Sequence, residues 1–348
     1  MKRVALLTEC LIYREDRTFE EQFAAVGGNT GNNAYLTALK DIFGADHLNY
    51  QNLDKSLSED KYDVYIVGNL SWIIENKEVP SFYYDAFKKI TKNGKRFVPI
   101  SVGTQVHTYK SDFRYHPSTL KFLKKISEQA CIACRGDYTA ELLSKNGVKN
   151  VEAVGCPSMF HSRDPEFNFT KRRTLRDGAR VATGITPWPN PTMPVSFVKS
   201  FFEYSIQNQI DFIEQAETIW IDQLFGSQPE FHGQLINYLN RYSKLFFDIE
   251  QWRLYSRGLD FSFSARFHGN VIPLMEGVPT LFVSIDARMN EMCEYFKFPT
   301  LQVNEFDFNW SLSELYDMAD YTAFNKTYRE AYRKFENLAN INELKIVL

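Results

Sequence analysis

The chain has 348 residues, 24% charged and 44% hydrophobic, with a formal net charge of -3 at pH 7. This composition is ordinary for a folded globular protein and excludes a fibrous or disordered chain, while the slight net negative charge argues against a nucleic-acid partner, because phosphate backbones are bound by concentrated Lys and Arg. Five scattered Cys residues predict a reducing compartment, and since no apolar run approaches the ~18 residues of a membrane span, we expect a cytoplasmic protein without a transmembrane segment.

The first half of the chain alternates short apolar runs with helical patterns, which is typical of parallel βαβ units. The chain length favours two domains, and we place the first over residues 1–165. Its predicted strands are Val4–Leu7, Val64–Val67, Phe97–Val102, Ala130–Cys134 and Val151–Val154, and its predicted helices lie near 31–43, 81–93, 117–128 and 137–146.

After Pro157 a charged stretch without clear periodicity predicts a linker, and a second domain follows over residues 175–348. Its last helix could pack back on the first domain. The predicted elements are strand 180–186, helix 195–215, strand 218–221, helices near 229–242 and 250–257, strand 261–265, helix 268–277, strand 280–285 and a helical stretch over 311–340. We therefore predict an α/β fold of two Rossmann-like, doubly wound domains that face a cleft, which is a GT-B-like arrangement, with ligand-binding residues on the loops that follow strands.

The most informative of these loops follows the predicted strand 261–265 and contains Arg266, His268, Gly269 and Asn270 at the start of a helix. A helix N-terminus presents unpaired N–H groups and a partial positive charge, which stabilise an anion. Arg adds a planar fork of donors for phosphate or carboxylate, and His can exchange protons near neutral pH. Either residue alone is more often a surface guanidinium or a helix cap. Their joint position favours an anion site with His268 as its acid–base group.

Other loops at strand ends contribute further polar residues. Arg135 precedes a helix that Asp137 can cap, and it either reaches into the cleft or pairs with a neighbouring carboxylate. The segment from Gly28 to Asn32 is rich in Gly and Asn, whose amides suit sugar hydroxyls, but it lacks the spacing of a dinucleotide site. The remaining candidates at strand ends are Asn69, Gln105, Arg288 and Trp188, of which Trp188 either stacks on a sugar ring or packs in the core.

These segments resemble the polysaccharide pyruvyltransferases along most of the chain. The Arg266–Gly269 loop is similar to the family's Arg-x-His segment, the Arg135–Asp137 segment resembles its Arg-Asp/Glu segment, and Gly28–Asn32 resembles its Gly-Asn-x-Gly-Asp loop. Three positions differ from the family pattern: Asn32 replaces the usual Asp, Cys156 replaces the Asp of an Asp-Pro pair, and Arg288 replaces a Lys.

The resemblance implies transfer of an enolpyruvyl unit from phosphoenolpyruvate to a pair of sugar hydroxyls as a ketal, in the synthesis of bacterial-type cell-surface polysaccharide. It implies Arg135, Arg266 and His268 as donor-site residues. Because ketal formation needs an acid–base group beside the donor, we expect His268 to be the catalytic residue, and this chemistry requires no metal or other cofactor. A lipid-linked acceptor would place the protein at the inner face of the membrane. From the strand-end loops we also predict donor-binding residues, namely Gly269, Asn270 and Arg288. The predicted acceptor-binding residues are Asn29, Asn32, Asn69, Gln105 and Trp188.

Two alternative functions remain at this point. The segment from His268 to Pro279 also resembles the nucleotide-binding helix of GT-B glycosyltransferases that use a nucleotide-sugar donor, although Arg266 favours the pyruvyl interpretation. A catalytically silent glycan-binding protein is less consistent with two cationic loops. Cys131 and Cys134 form a C-x-x-C motif, but they lie in a predicted strand without a second pair and do not predict a zinc or redox site.

Overall fold

The computed structural model describes residues 2–10, 16–68, 70, 73–186, 192–215 and 218–347. The strands are β1 Val4–Leu7, β2 Asp46–Leu48, β3 Val64–Val67, β4 Ile73–Ile74, β5 Arg96–Pro99, β6 Thr104–Gln105, β7 Ile132–Cys134, β8 Val151–Ala153, β9 Val181–Gly184, β10 Asp211–Glu214, β11 Ser243–Leu245, β12 Phe261–Ser264, β13 Thr280–Ser284 and β14 Thr300–Gln302. The α-helices are α1 Phe19–Ala25, α2 Asn32–Phe43, α3 Leu53–Ser58, α4 Ser81–Lys92, α5 Pro117–Ser127, α6 Asp137–Lys145, α7 Val195–Gln207, α8 Thr218–Phe225, α9 Pro229–Tyr242, α10 Ile249–Ser256, α11 Phe267–Met275, α12 Ala287–Phe296, α13 Leu312–Met318 and α14 Thr322–Ile341.

The first sheet has the strand order β2-β1-β3-β5, and all its pairings are parallel. A bridge between Val102 and Cys134 connects it to the parallel pair β7-β8. Strands β1 and β3 are buried at every position, as expected for strands covered by helices on both faces. The strand order reverses direction between β1 and β3, so a crevice is expected outside their carboxyl ends.

The second sheet has the order β11-β10-β9-β12-β13-β14, again with parallel pairings throughout. Chain order runs outward from β9 in both directions, which is the doubly wound Rossmann order. The reversal lies between β9 and β12. The predicted α/β fold with two Rossmann-like, GT-B-like sheets is therefore confirmed.

One stretch of the second half was predicted wrongly. Helix α7 ends at Gln207, strand β10 occupies residues 211–214, and the segment predicted as strand 218–221 is helix α8. Two short apolar runs follow each other here, and a run of this length does not distinguish a strand from a helix. The second run, in α8, has the spacing of an amphipathic helix: Ile221 and Phe225 are four residues apart and both are buried.

The C-terminal helix α14 follows the second sheet in sequence but contacts the first half of the chain. The ring of Phe335 stacks on Phe160 at 4.6 Å and also meets Phe43. Just beyond the helix, the Asn342 side chain accepts a hydrogen bond from the Cys131 N–H and donates one to the Cys131 carbonyl, both at 2.9 Å. The end of the chain thus ties the two halves together. Among the helices of the described segments, none has the length and apolar character needed to cross a bilayer.

Candidate active site

A cavity of about 660 Å³ lies between the two sheets, where loops from the carboxyl ends of their strands meet. Its size is sufficient for a small anionic donor together with part of a sugar. The predicted residues that line it are Arg135, Arg266, His268, Arg288, Asn29, Asn32 and Gln105. The cationic and imidazole groups predicted from separate loops therefore converge on one space.

Arg135 enters the cavity from the first half of the chain. It follows β7, and its Nε donates a hydrogen bond of 3.0 Å to the Ser101 hydroxyl. Ser101 has a φ of 72°, a left-handed conformation that is uncommon for a residue other than glycine. The Arg135 guanidinium carbon lies 5.7 Å from the centre of the Tyr35 ring, within the range of a cation–π contact. Two neighbours thus fix the direction of this cation.

Arg266 enters from the second half, at the point where strand β12 gives way to helix α11. Its backbone N–H donates to the Ser264 hydroxyl at 2.9 Å, and that hydroxyl donates to the Gly184 carbonyl at 2.9 Å. These bonds join the ends of β12 and β9, between which the strand order of the sheet reverses. Arg266 is therefore held at the position where α/β sheets usually bind ligands.

His268 lies in the first turn of α11, with its ring 5.8 Å from the Tyr35 ring and its Nε2 3.6 Å from the Cys156 sulfur. Burial, followed by the positive charges of Arg135 and Arg266, lowers the pKa of His268 to about 3. The imidazole is therefore neutral near pH 7 in the protein by itself. A bound anion would offset the two guanidinium charges and raise this pKa.

Gly31, at the start of α2, allows the two halves to approach each other at this point. A Cβ atom there would collide with Oε1 of Gln215 and would lie 3.2 Å from Nδ1 of His268. The Thr30 N–H also donates to the Gln215 carbonyl at 3.2 Å. The Gly-rich segment predicted from sequence therefore packs directly against the imidazole.

Arg288 has a charge partner at the cavity edge. Its Nε and a terminal nitrogen donate to the Asp286 carboxylate at 3.1 and 2.6 Å. The second oxygen of Asp286 accepts a hydrogen bond from the Met289 N–H and so caps helix α12. The Asp286 carboxylate therefore offsets the positive charge of Arg288 at the cavity edge.

Two residues predicted for the donor side do not line the cavity. Asn270 is fully buried, and its amide donates to the carbonyls of Ser264 and Leu281, both at 3.1 Å, so it attaches α11 to the sheet. Gly269 is also buried, and a Cβ there would lie 2.9 Å from the Ser264 hydroxyl. Both residues therefore pack beneath the loop that carries Arg266 and His268. Any direct contact between them and a donor stays a prediction.

Of the predicted acceptor-binding residues, some line the cavity and others lie outside the described residues. Asn29 accepts a hydrogen bond from the Gly31 N–H at 3.0 Å, and the Asn32 amide donates to the Val26 carbonyl at 2.9 Å. Each therefore uses part of its polar capacity inside the loop while lining the cavity. Asn69 and Trp188 lie outside the described residues.

A family model described as polysaccharide pyruvyl transferase matches residues 12–287. The chain belongs to this family. The family description implies a pyruvyl transferase that acts on a polysaccharide. Of the three positions that differ from the resemblance noted in the sequence, Asn32 and Arg288 line the cavity and Cys156 lies beside His268.

Solved structures with distant likeness include Staphylococcus aureus MnaA with UDP, at 9% identity over 99% of both chains and a TM-score of 0.48. A putative UDP-N-acetylglucosamine 2-epimerase from Listeria monocytogenes has 10% identity over 89% of this chain and 85% of that one, with a TM-score of 0.45. Anabaena HepE with UDP and glucose has 10% identity, 99% and 98% coverage and a TM-score of 0.44. At such identities the likeness bears on neither substrate nor reaction. No curated protein sequence matches the chain significantly.

The residues that line the cavity without being predicted from the sequence include Glu9, Tyr35 and Gln215. Glu9 follows β1 by two residues, so the rule that ligands bind at strand ends would have found it. Gln215 directly follows β10 and was missed because that strand was placed seven residues too late. Tyr35 lies inside helix α2, and nothing in the local sequence separates it from an ordinary core tyrosine.

Proposed function

We propose that the protein transfers the enolpyruvyl unit of phosphoenolpyruvate to two hydroxyl groups of a glycan, forming a pyruvate ketal and releasing phosphate. The observation that carries this proposal is the convergence of Arg135, Arg266 and His268 in one cavity. The donor carries a phosphate and a carboxylate, and paired guanidinium groups recognise such oxyanions efficiently. An imidazole beside them supplies the acid–base group that ketal formation needs.

The chemistry requires two C–O bonds to form at the same carbon. One acceptor hydroxyl adds to that carbon, the methylene carbon takes up a proton to become a methyl group, and the C–O bond to phosphate breaks. The second hydroxyl then closes the ketal. Of the two hydroxyl protons, one ends on the methyl group and the other leaves with phosphate, so the reaction balances without an oxidant or reductant.

His268 is suited to carry the first of these protons. It is neutral before the donor binds, because its pKa is lowered to about 3, so it can accept a proton. The negative charges of the donor raise this pKa, and the resulting imidazolium can protonate the methylene carbon. Such acid–base catalysis typically contributes about 10²- to 10⁴-fold. Arg135, Arg266 and the N-terminus of α11 stabilise the leaving phosphate.

In this proposal the acceptor is a cell-surface polysaccharide precursor, lipid-linked or free, and the reaction takes place in the cytoplasm. That no metal is required stays a prediction. The proposal does require that the donor is an oxyanion held by Arg residues from both halves of the chain.

Phosphate release from phosphoenolpyruvate tests the proposal. The assay would use a panel of p-nitrophenyl glycosides that carry free hydroxyl pairs, and ketal formation would be confirmed by mass spectrometry. Arg266→Ala should weaken donor binding by about 10- to 100-fold, since a charge-assisted hydrogen bond contributes roughly 1.5–3 kcal/mol. His268→Ala should retain donor binding and lose turnover. Arg333→Ala, on the exposed side of α14, is the matched control.

Two outcomes would contradict the proposal. Equal donor affinity in wild type and Arg266→Ala would remove the role of that residue. Thermal stabilisation by UDP and UDP-sugars, without any response to phosphoenolpyruvate, would support the alternative of a GT-B glycosyltransferase that uses a nucleotide-sugar donor.

A further inference from the structure

Glu9 lies at the ligand-binding position of the first sheet. The strand order of that sheet reverses between β1 and β3, and ligands of such sheets bind outside the carboxyl ends of the strands at this reversal. Glu9 follows the last residue of β1 by two positions and lines the same cavity as Arg135, Arg266 and His268. The reversal in the second sheet positions Arg266. The loops at the two reversals thus contribute opposite charges to one cavity, a negative charge from Glu9 and a positive charge from Arg266.

Among the described residues that line the cavity, Glu9 and Asp286 are the carboxylates. Asp286 is 6% exposed and already binds Arg288 and the N-terminus of α12. Within the described segments Glu9 has neither an ion-pair nor a hydrogen-bond partner, and its side chain is open to the cavity. Partial burial raises the pKa of its carboxyl, which makes the carboxylate a stronger base.

Tyr35 connects Glu9 with the donor side. The Tyr35 ring contacts His268 and lies under the Arg135 guanidinium. Burial is the main cause that raises the pKa of its phenol, followed by Cys10, while Arg135 opposes the rise and the negative charge of Glu9 adds least to it. Tyr35 and Glu9 line the same cavity.

We propose that Glu9 is the general base on the acceptor side, and this inference rests on the proposed function. Its carboxylate would accept a hydrogen bond from one of the two acceptor hydroxyls and take its proton as the oxygen attacks the ketal carbon. The C–O bond to that carbon forms while the C–O bond to phosphate breaks. Glu9 then returns the proton to the departing phosphate, while the other hydroxyl proton reaches the methylene carbon through His268.

The Asn32 side chain lines the same cavity but is not a base, because an amide cannot accept a proton at neutral pH. That amide also donates to the Val26 carbonyl. A carboxylate that lines the same cavity from the end of β1 can supply the basicity that Asn32 does not.

Glu9→Gln tests the inference, because it keeps the size of the side chain and removes its basicity. We expect kcat for phosphate release to fall by about 10²-fold, the usual contribution of a general base. Donor affinity, measured by calorimetry with phosphoenolpyruvate alone, should not change. The melting temperature should be equal or higher, because the substitution removes a carboxylate with a desolvation cost. Glu9→Asp should restore part of the turnover, and Glu336→Gln on the exposed side of α14 should match wild type.

Three results would overturn the assignment. Wild-type kcat in Glu9→Gln would exclude a base, and so would a rise in acceptor KM with unchanged kcat, which would make Glu9 a binding residue only. A loss of turnover that Glu9→Asp does not restore, accompanied by a lower melting temperature in Glu9→Gln, would indicate a structural role. If the wild type releases no phosphate with any glycoside, the proposed function itself fails. This result needs only the wild type, so it is distinguishable from a failure of the Glu9 assignment.

Discussion

Lowering the pH from about 8 to about 5 tests the electrostatic environment of His268 in the absence of substrate. The pKa of this residue falls from an ordinary 6.5 to about 3 in the folded protein, so over this range the unfolded chain binds a proton that the folded protein does not. The contribution of His268 to the free energy of unfolding therefore decreases as the pH falls below 6.5. Linkage gives a loss of about 2 kcal/mol at pH 5, with a further loss at lower pH until the pH approaches the folded pKa.

Arg135 accounts for part of this shift. Its guanidinium carbon lies 5.7 Å from the centre of the Tyr35 ring, and the His268 ring lies 5.8 Å from the same centre, so the two charges are no further apart than the sum of these distances. At an effective dielectric constant of about 20, unit charges about 11.5 Å apart repel by roughly 1.4 kcal/mol, or about one pKa unit. Burial, the largest cause, and Arg266 supply the rest.

The assay is urea unfolding of the wild type and His268→Gln at both pH values, with His116→Gln as a control that removes another histidine. Glu291 also titrates in this range with an effect of opposite sign, but that effect is present in all three proteins, so the prediction concerns the difference between them. On acidification the free energy of unfolding of His268→Gln should change by about 2 kcal/mol in the favourable direction relative to wild type. The control should behave as wild type. An equal change in wild type and His268→Gln would refute the description of a desolvated, neutral imidazole.

Three further predictions concern contacts around the cavity. Gly31→Ala should lower turnover about 10-fold in the phosphate-release assay, because the new methyl group displaces the end of the Gln215 side chain and crowds Nδ1 of His268. Cys156→Ala should lower kcat with little change in donor affinity, both measured as for wild type, because it removes the thiol 3.6 Å from Nε2 of His268. Burial raises the pKa of Glu291 to about 7, so its folded form holds a proton longer than the unfolded chain and stability is lost as the pH rises from 4.5 through 7. Glu291→Gln should remove this loss, up to about 3 kcal/mol at pH 8 in urea unfolding.

The sequence was sufficient to predict the parts of the site that follow clearly marked strands. Arg135 and Arg266 each stand directly after a short apolar run and before a helix, and parallel strands bring such positions to one edge of a sheet. The family motifs independently marked the same residues. Their convergence needed only that the two sheets face each other.

The residues that were missed depend on information that is not local. Glu9 follows β1, so the strand-end rule would have included it; its position at the reversal of the sheet, however, depends on the pairing of β1 with β3, which cannot be read from the residues around position 9. Gln215 was missed because the apolar run of β10 and that of α8 have similar length and composition. Tyr35 and Cys156 are buried, and their proximity to His268 arises from packing between distant segments.

Docking of the two halves determines where the cations of the site lie. Helix α6 follows Arg135 directly, and Glu291 of the second half caps it: its carboxylate accepts hydrogen bonds from the Thr139 N–H at 2.6 Å and from the Thr139 hydroxyl at 3.0 Å. At Gly136 a side chain would collide with Glu291, so this capping requires the glycine that follows Arg135. A residue far away in sequence therefore fixes the start of the helix that orients the first-half cation. Arg266 and Glu291 belong to the same half of the chain, so the contact between Glu291 and α6 sets the distance between the guanidinium groups of Arg135 and Arg266. The affinity for an oxyanion that bridges these two groups therefore depends on how the two halves dock as well as on their charge.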